Sequence, residues 1–61
     1  MLATIKATTD GQFIGCQIDT DTNPIELPGG VLMHVDRCAI EGDQYRLINS
    51  NYIIDAEVKH G

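Results

Sequence analysis

The sequence predicts an all-β protein, a single small five-stranded antiparallel barrel or meander over residues 1–61. Two observations carry this, and their agreement is a third. Apolar and polar residues alternate with the period of two that half-buried strands require. Strong turn sequences, Asp10-Gly11, Gly42-Asp43 and Asn49-Ser50-Asn51, interrupt that alternation at hairpin spacing. Registers counted outward from these turns put apolar residues opposite one another, so turn chemistry and hydrophobic period point the same way.

The first hairpin is centred on Asp10-Gly11, a favoured type I′ pair. With those two as the loop, Ala7 lies opposite Ile14, Ile5 opposite Cys16 and Ala3 opposite Ile18, all on one face. The other face carries Thr8 with Phe13, Lys6 with Gly15, Thr4 with Gln17 and Leu2 with Asp19, a largely solvated set. From Thr20 to Gly30 the chain is punctuated by Asn23-Pro24 and Pro28-Gly29-Gly30, which predicts a long surface connection. Within it, the sequence supports at most one 3₁₀ turn or a short extended piece at Ile25-Glu26-Leu27.

Residues 31–40 fit neither period cleanly. A strand is expected, because no N-cap follows Gly29-Gly30 and the second half pairs well with what comes next. The alternative is a helix over 31–40, which would make the fold α+β. A type II′ turn at Gly42-Asp43 sets Ile40 opposite Tyr45 and Cys38 opposite Leu47. Val31, Met33 and Val35 then point to the opposite face unless a β-bulge near Asp36-Arg37 shifts the phase. The last hairpin places Leu47 opposite Ile54, Tyr45 opposite Ala56 and Arg46 beside Asp55. It also places Ile48 opposite Ile53 on the outer face, next to Arg37. The terminal strands 1–8 and 52–58 either close a barrel or leave edges. This strand plan resembles SH3-like and OB-like barrels by analogy, and the resemblance implies a barrel but no particular function.

Nine acidic against four basic side chains give a formal charge of −5. That charge repels phosphate backbones and anionic surfaces, and Lys6, Arg37, Arg46 and Lys59 are scattered along the chain, so neither nucleic acid nor membrane is an expected partner. The opening Met1-Leu2-Ala3-Thr4-Ile5-Lys6 has no secretory-signal pattern, which makes a cytoplasmic protein the expectation. In a reducing compartment Cys16 and Cys38 are expected as free, buried thiols.

Chemistry is sparsely provided. Asp19-Thr20-Asp21-Thr22-Asn23 matches the opening of a calcium loop, but Pro24 stands where that loop needs Gly and Gly30 where it needs Glu. Cys16, His34, Cys38 and His60 lack the close pairs that preform a zinc site. No nucleophile motif, phosphate-cradling loop or dinucleotide fingerprint is present. The expectation is a protein that is not an enzyme and uses no metal or other cofactor. Its expected role is that of a protein-binding or assembly module acting through a sheet edge or the outer apolar face, and self-associating as a homo-oligomer. The expected contact surface is Ile48 and Ile53, rimmed by Arg37, Arg46 and Asp55. The alternative is an acidic inhibitor that occupies a basic groove on a partner protein.

Overall fold

A computed structural model describes residues 1–59. The described residues form seven strands, β1 (Leu2–Thr8), β2 (Gln17–Asp19), β3 (Ile25–Leu27), β4 (Val31–Met33), β5 (Arg37–Glu41), β6 (Gln44–Asn49) and β7 (Tyr52–Val58), with a 3₁₀ turn over Pro28–Gly30. Five of them make one antiparallel sheet in the order β2-β1-β7-β6-β5, while β3 and β4 form a separate hairpin. The fold is all-β, and the described residues contain no α-helix.

The sheet does not close into a barrel. β2 and β5 are its two edges and do not meet. The β3–β4 hairpin instead adds Ile25, Leu27 and Met33 to the core formed by Ala3, Ile5, Ile18, Leu47, Ile54, Ala56 and Val58. Burying this second layer removes apolar surface from water without requiring the sheet to curl fully round.

The last two hairpins have the predicted registers. Cys38 faces Leu47 and Ile40 faces Tyr45. Tyr45 faces Ala56, Arg46 faces Asp55, Leu47 faces Ile54 and Ile48 faces Ile53. Gly42 takes φ 59°, the positive value that the first position of a II′ turn demands and that glycine adopts without a Cβ clash.

The first hairpin is right at its open end only. Leu2, Ala3 and Thr4 pair with Asp19, Ile18 and Gln17 as predicted. Beyond Ile5 the expected tight turn is replaced by a wide loop. The Ile5 amide donates to the Cys16 carbonyl (2.9 Å) and the Ile5 carbonyl accepts from Gly15 (2.8 Å), so two residues face one. A bulge also falls between Ile5 and Ala7 in the β1–β7 ladder, where Ile5 pairs with Ala56 but Ala7 pairs with Asp55. Lys6 is the extra residue, and it reverses the phase of everything after it. Ala7 is thereby turned to the outer face with Asp55, and Ile14 is left 56% exposed instead of packed against it.

Residues 31–40 are neither one strand nor a helix. They divide into β4 and β5, which serve different sheets. Asn23 enforces the break: its side-chain oxygen accepts from the Val35 amide (2.9 Å) and its side-chain nitrogen donates to the Val35 carbonyl (3.2 Å), taking both backbone groups out of any ladder. The Asp36 amide donates to the Ile48 carbonyl (2.8 Å) while Arg37 is the register partner of Ile48. Two residues thus oppose one, a bulge-like irregularity at Asp36-Arg37, one of the two outcomes the sequence left open. The segment 20–30, expected at the surface, contributes Ile25 and Leu27 to the core, because β3 finds a partner in β4.

Candidate interaction surface

The outer face of the sheet is ordered in cross-strand rows. Arg37, Ile48 and Ile53 form one row across β5, β6 and β7. The next row is Ala39, Arg46, Asp55 and Ala7. All five residues of the expected surface therefore share one face. Ile48 is half-buried and Ile53 is 36% exposed, so the pair presents a small apolar strip. Arg46 donates to Asp55 at two points, Nε to Oδ1 at 2.8 Å and Nη2 to Oδ2 at 3.3 Å. Hydrogen bonding to Asp55 raises the Arg46 pKa further above its ordinary value. Lys6, which precedes Ala7 on the outer side of the bulge, reaches Glu57 at 4.0 Å. A groove of about 530 Å³ is lined by Lys6, Ala39, Arg46 and Asp55 of this face together with Ile40 and Tyr45 of β5 and β6. It reaches the free edge at Ala39.

That edge is the feature the sequence did not specify. All five residues of β5 are exposed, and Ile40, on the core-side face, is 60% exposed. Cys38, expected to be buried, shares that face and is exposed, because no further strand among the described residues covers it. Backbone hydrogen bonds in antiparallel pairs alternate, so each residue of an edge strand directs its groups either to its neighbour or away. Two-residue turns close the pairs Glu41–Gln44 and Asn49–Tyr52. The Val58 amide donates to the Asp43 carbonyl (2.9 Å), which fixes odd-numbered β6 residues as the ones bonded to β7. Even-numbered β6 residues therefore serve β5, where their partners are Arg37, Ala39 and Glu41. The amides and carbonyls of Cys38 and Ile40 point off the open side.

A second apolar surface lies at the other end of the core. Phe13, Leu27, Val31, Leu32, Met33 and Tyr52 line a cleft of about 410 Å³, with Val31 48% and Leu32 59% exposed. Phe13 is held with φ 68°, a left-handed conformation uncommon for an aromatic residue, and packs against the core. Periodicity did not reveal this cleft, because it is assembled from a loop, the β3–β4 hairpin and the start of β7.

The other sequence candidates are taken up by internal bonds. The Met1 amine bonds the carboxylates of Asp19 (3.1 Å) and Asp21, and Asp19 also accepts from the Asp21 amide (2.9 Å). Bonding to Asp21 leads the causes that raise the amine's pKa, and the Asp21 amide leads those that lower the pKa of Asp19. Asn23 is committed to Val35. Cys16 and Cys38 are free. Cys16 bonds β1 from the β2 side while Cys38 lies on β5, four strand spacings or about 19 Å across the sheet. His60 lies outside the described residues, among which no three His, Cys, Asp or Glu side chains gather as a metal site. Comparison with known families, with curated proteins and with solved structures finds no match.

Proposed function

We propose that the protein is a non-enzymatic, self-associating protein-binding module that works by strand addition at the open edge of β5. The observation that carries this reading is an exposed edge strand with outward-facing backbone groups on Cys38 and Ile40. Edge strands in monomers are usually guarded by proline, lysine, a β-bulge, an inward charge or a covering loop, and the one irregularity of β5 lies at Asp36-Arg37, ahead of Cys38 and Ile40. β5 reads Arg-Cys-Ala-Ile-Glu and contains no proline or lysine. Its two charges lie on the outer face, leaving Cys38 and Ile40 to extend the apolar side. Strand addition supplies main-chain hydrogen bonds for affinity and alternate side chains for selectivity. The Ile48/Ile53 strip, joined to the edge through Arg37, is the adjoining contact surface.

Sedimentation across micromolar to millimolar concentrations tests the reading. Mass should rise with concentration, since a five-residue edge buries less than the interface of a permanent dimer. Cys38→Pro removes an outward amide without breaking the β5–β6 ladder, so it should leave a folded monomer. A wild-type protein that stays monomeric throughout overturns the proposal. Association that survives Cys38→Pro but is lost in Ile48→Glu with Ile53→Glu moves the interface to the outer strip.

A further inference from the structure

We infer that the strand completing this edge is β5 of a second copy, antiparallel to the first about a two-fold axis through Ala39. The inference rests on strand addition at β5, and adds the partner and its register. Outward groups must meet outward groups, so only registers that pair Cys38 and Ile40 with one another, or with themselves, are in phase. There are three such registers, centred on Cys38, Ala39 or Ile40. The Cys38-centred register sets Asp36 opposite Ile40 and leaves Glu41 beyond the pairing. The Ile40-centred one sets Gly42 opposite Cys38 and leaves Arg37 beyond it.

Centring on Ala39 pairs all five residues. Arg37 of each copy faces Glu41 of the other, twice, on the outer face. Cys38 faces Ile40, twice, on the core-side face, and these two pairs exchange four backbone hydrogen bonds. Ala39 meets Ala39 as the closely spaced, non-hydrogen-bonded pair, where a small side chain suits the approach. Opposite charges directly across a ladder are favourable and like charges are not, so the pattern Arg-Cys-Ala-Ile-Glu is complementary to its own reverse. This is the self-complementarity that a two-fold interface requires. The resulting ten-stranded sheet joins the two grooves at the paired alanines, with an Arg46–Asp55 ion pair on each side. Ile40, 60% exposed in one copy, gains a neighbour on its open side.

Disulfide trapping and charge exchange test the register. In the proposed dimer Ala39 approaches its twin at about 4.5 Å between Cα atoms, within disulfide range, whereas the two Cys38 residues are diagonal, at about 7 Å or more. Under mild oxidation, Ala39→Cys in a Cys38→Ser background should cross-link quickly and wild type slowly. Arg37→Glu should weaken association about tenfold by putting Glu opposite Glu twice, and adding Glu41→Arg should restore it. Two results overturn the register and leave strand addition standing. One is faster cross-linking through native Cys38 than through the thiol introduced by Ala39→Cys. The other is no recovery in the double charge variant while Cys38→Pro still abolishes association. A wild-type protein that never associates overturns both the register and strand addition.

Discussion

At the scale of single residues, Asp10 shows why a strong turn pair was redirected. Its carboxylate accepts from the Tyr52 hydroxyl (2.6 Å), the Gln12 amide (3.1 Å) and the Thr8 hydroxyl (3.3 Å). These bonds, with Tyr52 the leading cause, hold its pKa below the usual carboxylate value. Tyr52 moves the other way, pushed up first by burial and then by Asp10. Asp10 therefore anchors the loop to the start of β7, and Thr9 extends the anchor by accepting from the Ile53 amide through Oγ1 (2.8 Å). A depressed carboxylate pKa contributes stability that is present above the unfolded value, about 4, and is lost as pH falls through the folded one. Tyr52→Phe should raise the Asp10 pKa, read by carbon NMR titration of its carboxyl. The stability difference between wild type and variant should be present at neutral pH and narrow once both carboxyls are protonated.

At the scale of elements, the contrast is between hairpins whose register is local and those whose register is set from elsewhere. β5–β6 and β6–β7 were legible because two-residue turns and alternating side chains constrain the same pairing. The inner half of β1–β2 was not, because the Lys6 bulge depends on β7, a partner distant in sequence. The division of 31–40 was hidden for the same reason, since Asn23, twelve residues before Val35, captures it. Asn23→Ala should cost about 1 kcal/mol for the lost pair of exposed hydrogen bonds. Its signature is faster amide exchange in β3 and β4 than in the five-stranded sheet, with a modest fall in the denaturation midpoint. The outer strip was legible from register alone, but the open edge was not. An edge is defined by the absence of a neighbour, and only the complete strand order reveals which strand lacks one.

At the scale of the molecule, charge and topology bear on the proposed association. Each chain carries −5, so two copies repel over the distance of a Debye length. Added salt screens that repulsion and would also weaken the Arg37–Glu41 pairs of the proposed dimer. With five net charges per chain against two cross-copy pairs, the repulsion dominates, and dimerisation measured by sedimentation should strengthen between low and physiological salt. Binding to a basic partner would weaken over the same range. The β1–β7 pairing has a separate consequence for folding. The meander β5–β6–β7 closes through short loops, fast steps on the microsecond scale, whereas β1 must return across nearly the whole chain to reach β7. Until it does, β7 is an unfilled berth, and at high concentration another molecule's β1 fits it as well as the chain's own. Rapid refolding of concentrated protein should therefore favour exchanged dimers that are intertwined and slow to separate, kinetically distinct from the pairing proposed at β5.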